Sequence, residues 1–357
     1  MTLKNLKKLR DLNNRLNRWE TYFQKEILDS RPVIVQIPTG TKCNLKCVFC
    51  TDREGKASEN YYDLSFEDFI SLSEPIFLSS MLQLYGWGEP FINPEYEKMF
   101  DYVVDNFEGI KFYISTNGSL MNDTWINKLA KYNNSIINIS LNASTAATYG
   151  SIMKRDKFEQ VMRNIKKLDE ARRKVEGCRT KIFLSFVNTD KNIDELPEFV
   201  EIASEINAGV IIQDLNIIEH KHANLMVHPD KARYVLNLAQ KKALEKKVQF
   251  CSFSSLPRDH LNNPDLASNS GPIPDDIPLL PPPPGQCYEP WQRILMSADG
   301  IVSPCCNSQM NLGNLHEKTF QEIWNGDMYI YLRQTVNTPN PPGDCLKCPV
   351  KMSYLLS

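Results

Sequence analysis

Histidine is scarce: the 357-residue chain has five, and none before His220. Imidazole is therefore missing, across the N-terminal half, from its usual roles as general base and metal ligand. A charge excess of one sign is missing too. Forty-one Lys and Arg stand against 43 Asp and Glu, a formal net charge of −2, so no global positive field argues for nucleic acid. No run of about eighteen apolar residues occurs, so no segment reads as a membrane span. The N-terminus, MTLKNLKKLRDLNNRLNRW, has neither an apolar secretion core nor a cleavage-like site. The expected setting is the reducing cytoplasm, where cysteine serves metal binding or catalysis rather than disulfides.

Cysteine is what the chain does have, unevenly placed. Cys43, Cys47 and Cys50 fall within TKCNLKCVFC, and Cys287, Cys305, Cys306, Cys345 and Cys348 lie in the tail. Cys178 and Cys251 stand alone and read as ordinary core or surface thiols. The C-x3-C-x2-C triplet has no fourth cysteine or histidine beside it, whereas a closed structural zinc site takes four ligands. Three thiolates instead suit a [4Fe–4S] cluster with one iron left open to an exogenous chelating group. In the tail, Cys287 and Cys305 bracket Gly300, and Cys345 and Cys348 form C-x2-C. By spacing alone a zinc ribbon and an iron–sulfur cluster stand equal there. LMSADGIVSP reads as a hairpin turning at Asp299-Gly300, and HEKTFQEIWNG as a short helix ending at Gly326.

The rest of the chain reads as an alternating α/β protein. Residues 1–32 carry Leu3, Leu6, Leu9, Leu12, Leu16, Trp19, Phe23 and Ile27 at helical spacing, with a polar, rather basic opposite face. The expectation is an amphipathic helix packed against its own domain; a membrane-surface or partner-docking role is the other use of such a face. From residue 33 to about 220, VIVQI, MLQLYG, IKFYIS, SIINISLN, TKIFLSFV and GVIIQDLNII read as six strands alternating with helices. That order implies parallel β with right-handed crossovers, in an open doubly wound sheet or an incomplete barrel, with ligands at the C-terminal strand ends. Residues 221–285 break the rhythm with a helical segment and the proline-rich connector SNSGPIPDDIPLLPPPPG. A boundary is expected near 275–285, and residues 286–357 form a small cysteine-bearing domain that gains from a metal centre.

The triplet placed directly after the first strand resembles the signature of the radical S-adenosylmethionine (radical SAM) superfamily. GWGEP, Gly86 to Pro90, is similar to that family's GGEP stretch at the end of strand two, with Trp87 in place of the second glycine. STNG (Ser115 to Gly118) and SLNAS (Ser140 to Ser144) end strands three and four as the family's motifs do; Asn142 stands where Asp is usual. The resemblance covers about residues 33–220. It implies a partial (β/α)6 TIM-like barrel, a [4Fe–4S] cluster on Cys43, Cys47 and Cys50, and S-adenosylmethionine chelated at the open iron. Reductive cleavage of that cofactor then yields a 5′-deoxyadenosyl radical that abstracts a substrate hydrogen. It further implies cofactor contacts from Phe49 (adenine), Gly86, Gly88, Glu89 and Pro90 (ammonium side), Ser115, Asn117, Ser140, Asn142 (ribose), and Lys154 or Arg155 (carboxylate), and a reduced flavodoxin- or ferredoxin-type electron donor. The tail pattern C…PW…DG…PCC…LGN…EIWNG…C-x2-C is similar to the SPASM and twitch extensions of that superfamily. It implies one auxiliary [4Fe–4S] cluster on Cys287, Cys305, Cys345 and Cys348, with Cys306 the spare or the replacement for Cys305.

Three functions follow as expectations. The first is oxidation or epimerisation of a small polar metabolite of sugar or aminocyclitol type, the auxiliary cluster accepting the substrate radical's electron. The second is modification of a ribosomally made peptide; about thirty residues precede the first strand, too few for a leader-binding module. The third is a non-catalytic iron–sulfur or zinc protein. Asp214, Glu219 and His220, on or after the sixth strand, are candidate bases for a hydroxyl proton, and Cys306 or Cys251 candidate hydrogen donors for an epimerase.

Overall fold

The computed structural model describes residues 3–50, 62–215, 227–253, 286–346 and 348. Glu219, His220 and the proline-rich connector lie outside the described residues. The chain divides into two compact units: Met1–Lys42, Tyr61–Tyr113 and Ile273–Leu355 form one, and Cys43–Asn60, Ile114–Pro272 and Leu356–Ser357 the other.

The first unit begins with helix α1 (Leu3–Tyr22), followed by strand β1 (Ile34–Gln36), α2 (Phe66–Ser71), β2 (Met81–Gln83), α3 (Tyr96–Asn106) and β3 (Lys111–Thr116), which runs on into the second unit. In the second unit come α4 (Asp123–Tyr132), β4 (Ser135–Ser140), α5 (Ala146–Met153), α6 (Phe158–Arg173), β5 (Lys181–Asn188), α7 (Leu196–Glu205), β6 (Gly209–Asp214), α8 (Pro229–Lys246) and β7 (Phe250–Phe253). The tail returns to the first unit with α9 (Glu289–Gln292), β8 (Arg293–Met296), β9 (Ile301–Ser303), β10 (Gly313–Asn314), α10 (Phe320–Trp324), α11 (Asp327–Thr335) and α12 (Gly343–Leu346). All six strands read from the sequence form. Strand β7, which pairs parallel with β6, and helix α5 go unread, because four and eight residues are too short for a period to show. The hairpin at Asp299-Gly300 forms as β8 and β9.

Caps set the helix starts. The Ser65 hydroxyl accepts from Asp68 N–H at 3.0 Å to open α2. For α4 the cap is Asn122, one residue ahead of Asp123, its Oδ1 accepting from Trp125 N–H at 3.0 Å. Thr319 and Glu322 close a reciprocal capping box on α10.

In the first unit the strand order is β10-β9-β8-β1-β2-β3, with β8, β1, β2 and β3 mutually parallel and the hairpin strands antiparallel. Register sorts its residues onto two faces. Val35, Leu82 and Phe112 stand in one row, fully buried, and Phe100 of α3 stacks on Phe112 with ring centroids 4.5 Å apart. Gln36, Gln83 and Tyr113 form the next row, on the opposite face. In the second unit β4, β5, β6 and β7 are parallel neighbours, and the nearly continuous burial of β4 and β5 is that of strands covered on both sides.

Helix α1 docks mainly through polar side chains rather than through the apolar stripe its spacing suggests. Leu6, Arg10, Asn13, Asn17, Glu20 and Thr21 are buried, while Leu12, Trp19 and Phe23 are 55%, 50% and 59% exposed. The buried polar side chains bind backbone. Asn13 Nδ2 donates to the carbonyls of Arg31 (3.1 Å) and Leu78 (3.2 Å), and its Oδ1 accepts from Arg31 N–H (2.8 Å). Asn17 Nδ2 donates to Trp291 O at 2.6 Å, and the Glu20 carboxylate accepts from Asp29 N–H (2.8 Å) and Ser30 N–H (3.1 Å). Loop carbonyls and amides without helix or ladder partners offer more to polar side chains than to leucines, each such bond contributing about 0.5–1.5 kcal/mol net.

Candidate metal and cofactor sites

The triplet follows β1 on a loop whose second half belongs to the second unit. Lys46 N–H and Val48 N–H donate to the carbonyls of Met153 (3.2 Å) and Ile152 (2.9 Å), tying the loop to the end of α5. Cys50 N–H donates to Cys47 O at 3.2 Å, the turn that a C-x2-C spacing makes. Cys43 is exposed, and Cys47 and Cys50 are half-buried, as is Phe49. Asn117 of the STNG stretch reaches this loop together with groups the motifs do not name. Asn117 Nδ2 donates to Asn44 Oδ1 (2.8 Å) and lies 4.0 Å from Cys43 Sγ; Asn44 Nδ2 donates to Ser119 Oγ (2.9 Å), whose hydroxyl donates to Asn117 Oδ1 (2.6 Å). Cys47 Sγ lies 3.6 Å from Met153 Sδ. Asn44, Ser119 and Met153 carry no spacing signal and are missed from sequence.

Asn142 is left-handed, φ 59°, and 1% exposed. Its Oδ1 accepts from Val187 N–H at 2.8 Å and its Nδ2 faces Met153 Sδ at 3.6 Å, so the side chain is turned inward. Ser115 Oγ accepts from Asn138 Nδ2 at 3.2 Å, and Ser140 stands opposite Ser185. Lys154 and Arg155, just past α5, are exposed. Asp214 ends β6, its carboxylate accepting from Asn188 Nδ2 at 3.2 Å. Cys251 lies in β7; burial pushes its thiol up to about 11.

GWGEP lies in the first unit, with its glycines in contact. A Cβ on Gly86 would sit 2.3 Å from Pro38 Cβ, and one on Gly88 2.4 Å from Lys42 O. Gly88 N–H and Glu89 N–H donate to Gly40 O (3.1 Å) and Lys42 O (2.8 Å). Trp87, between them, is 37% exposed. The departure from GGEP thus falls at the one position with room for a side chain. Glu89 is buried, and Pro90 opens the 3-10 turn that follows it.

Three tail cysteines, Cys287, Cys305 and Cys306, lie near Glu289. Asn337 holds the Cys287 backbone from both sides, accepting from its N–H (2.7 Å) and donating to its carbonyl (3.0 Å). The Asp344 carboxylate accepts from Ser308 Oγ (3.0 Å) and Gln309 N–H (2.9 Å), drawing the Cys305–Cys306 loop onto α12 and Cys345. Cys348 N–H closes on Cys345 O at 3.4 Å. Burial, then the nearby Glu289 carboxylate, push the Cys287 and Cys305 thiols well up. Cys345 and Cys348 add to the crowding of Cys287, and Cys306 to that of Cys305. Cys306 is the exposed residue of the set, although its thiol is itself pushed up by burial. The two tryptophans of the tail pattern are anchors: Trp291 Nε1 donates to Lys25 O (2.8 Å) and Trp324 Nε1 to Ser30 O (2.9 Å). Arg333 packs over the Trp324 and Tyr329 rings, and burial lowers its pKa to about 10.

Thiols so crowded with one another and with a carboxylate ionise only against a compensating cation, which suits a metal cluster. Among the described residues no three His, Cys, Asp or Glu side chains close on a single ion. A four-iron cluster does not ask for that, because each iron takes its own thiolate.

Residues 37–200 match the radical SAM superfamily, and residues 287–349 the SPASM iron–sulfur cluster-binding domain. The chain carries a radical SAM domain followed by a SPASM domain. Both kinds of cofactor, [4Fe–4S] cluster and S-adenosylmethionine, follow from those two domains. Among relatives of this radical SAM protein, the mycofactocin maturase MftC of Mycolicibacterium smegmatis is 29% identical over 176 residues, 48% of this chain and 42% of its own length. The chain thus spans less than half the length of the mycofactocin maturases it matches. The tungsten-containing aldehyde ferredoxin oxidoreductase cofactor-modifying protein of Pyrococcus furiosus is 28% identical over 308 residues, 82% of this chain and 81% of that one. The fold is that of Streptococcus suis SuiB bound to its precursor peptide SuiA: TM-score 0.65 at 18% identity, over 95% of this chain and 74% of SuiB.

Proposed function

We propose that this radical SAM protein oxidises or epimerises a small, oxygen-rich polar metabolite of sugar or aminocyclitol type, with one twitch-like auxiliary cluster on Cys287, Cys305, Cys345 and Cys348. When bound on Cys43, Cys47 and Cys50, a [4Fe–4S] cluster with S-adenosylmethionine would supply the hydrogen-abstracting 5′-deoxyadenosyl radical. Glu89, Lys154 or Arg155, and Phe49 would set charge and an apolar face against that cofactor, and a flavodoxin- or ferredoxin-type protein would supply the electron.

The observation that carries the substrate class is a polar row on the sheet face of β8, β1, β2 and β3. Arg293 Nη1 donates to Gln83 Oε1 (2.5 Å) and Gln36 Oε1 (3.2 Å), while its Nε is held by Glu289. Tyr85 and Tyr113 pair beside them with centroids 5.5 Å apart. Burying two amides and a guanidinium is unfavourable unless they are hydrogen-bonded. Here both amide oxygens are turned to Arg293, Gln36 and Gln83 are buried, and Gln83 Nε2 donates to Met81 Sδ (3.7 Å), so the row is an internal one of amides, guanidinium and tyrosine rings, chemistry that suits ligand oxygens and C–H faces. The match to a cofactor-modifying protein over 82% of this chain and 81% of that one supports a small substrate.

Peptide modification is the second reading: SuiB, whose fold this chain shares, is seen bound to a precursor peptide. Deuterium separates the two. Reconstituted protein, reductant and S-adenosylmethionine are incubated with carbon-deuterated sugars and aminocyclitols or with a precursor peptide, and label is sought in 5′-deoxyadenosine. Label from a sugar or cyclitol supports the proposal; label from the peptide alone replaces it with the second reading. Failure to form any 5′-deoxyadenosine would sink both.

A further inference from the structure

The outward half of α1 carries two kinds of side chain. Leu9, Leu12, Leu16 and Trp19, with Phe23 just past the end of α1, recur at i, i+3, i+7, i+10 and i+14 and are all exposed, a stripe along a helix about 30 Å long. Lys7, Lys8, Arg15 and Arg18 form the neighbouring strip, none of them buried, and Asp11 is the acid of α1 on this side, since Glu20 is buried. Tyr22 packs on Phe23 and Lys25 lies 4.8 Å over the Trp19 ring, so the C-terminal end is an aromatic and cationic knot. The polar side chains that such a helix ordinarily shows to water are the ones bonded inward.

We propose that α1 seats this protein on an anionic lipid bilayer surface, with Leu9, Leu12, Leu16, Trp19 and Phe23 in the headgroup–acyl boundary and Lys7, Lys8, Arg15 and Arg18 on lipid phosphates. The composition is that of interfacial helices: Lys and Arg on one strip, Leu, Trp and Phe on the next. Charge selects the occupant. The basic strip calls for an anionic surface, whereas a second copy seated stripe to stripe would bring two basic strips together. A lone helix also presents a ridge rather than a groove, which a fluid headgroup layer accommodates without a preformed partner. No helix among the described residues is long and apolar enough to cross a membrane, so the contact is peripheral.

The test is co-sedimentation of the full reconstituted chain with phosphatidylcholine vesicles, with and without phosphatidylglycerol. The expected result is pelleting with the anionic vesicles, weakened severalfold by high salt and by Lys7→Glu/Lys8→Glu/Arg15→Glu, and abolished by Leu12→Glu/Trp19→Glu. Iron content equal to wild type shows that these surface variants still fold, and keeps the result separate from the catalytic reading. The proposal is overturned if wild type stays in the supernatant at low salt, or if Leu12→Glu/Trp19→Glu pellets as well as wild type. It is equally overturned if light scattering finds a dimer that those substitutions dissociate, which would assign the stripe to a second copy.

Discussion

The two glycines around Trp87 differ from it in kind. Ala at Gly88 would drive a methyl into the Lys42 carbonyl at 2.4 Å, an overpacking cost of about 1–3 kcal/mol. Gly88→Ala should lower thermal stability and cut S-adenosylmethionine binding about tenfold or more, while Trp87→Gly, at a half-exposed side chain, should change stability by less than about 0.5 kcal/mol. Calorimetry and equilibrium dialysis of both would check this; equal effects would mean that the close approach does not matter. Cys251 offers a pH test. Its folded pKa is raised by burial from 9.0 to about 11. The folded chain therefore keeps a proton that the unfolded chain has lost, so this contribution is full below about pH 9 and declines as pH rises toward 11. Denaturant titrations at about pH 8 and pH 10.5 should show a steeper loss for wild type than for Cys251→Ala, and matching slopes would rule the linkage out.

Helix α1 shows at the element scale how a period can be read correctly and its direction missed. Apolar spacing identified the helix, but spacing does not say which face meets the protein. The loops beneath α1 present carbonyls and amides with no ladder to join, so Asn13, Asn17 and Glu20 go inward. Asn13→Leu, a change toward apolar at a buried site, should destabilise the protein by about 1–3 kcal/mol, because it strands the Leu78 and Arg31 carbonyls and the Arg31 N–H. A variant as stable as wild type by urea titration would refute that docking account. In the tail, Thr319→Ala removes the α10 capping box and should cost about 1 kcal/mol by the same measurement.

For the whole molecule, the two thiol sets make separable claims. Anaerobically reconstituted wild type should bind about eight irons, and a Cys43/Cys47/Cys50→Ala variant about four, since each cluster is tetranuclear. Iron and acid-labile sulfide assays check this; about four falling to none, with zinc in the tail, would remove the auxiliary electron path and redirect the search to redox-neutral chemistry.

What the sequence determined alone is local chemistry. Thiolate spacing and the β–α alternation each depend on a few neighbouring residues, and each is legible as written. Trp291 and Trp324 were legible as a pattern but not as anchors. What only the tertiary structure decided is which residues from distant segments share a row. The tail strand β8 joins the sheet parallel to β1 across more than 250 intervening residues, placing Arg293 level with Ile34 and diagonal to Gln36. The register of β1, β2 and β3 then aligns Gln36, Gln83 and Tyr113. Register is a collective choice made by packing on the opposite face, through Val35, Leu82 and Phe112. No single segment carries it, so neither the polar row nor the outward stripe of α1 could be read before the pieces came together.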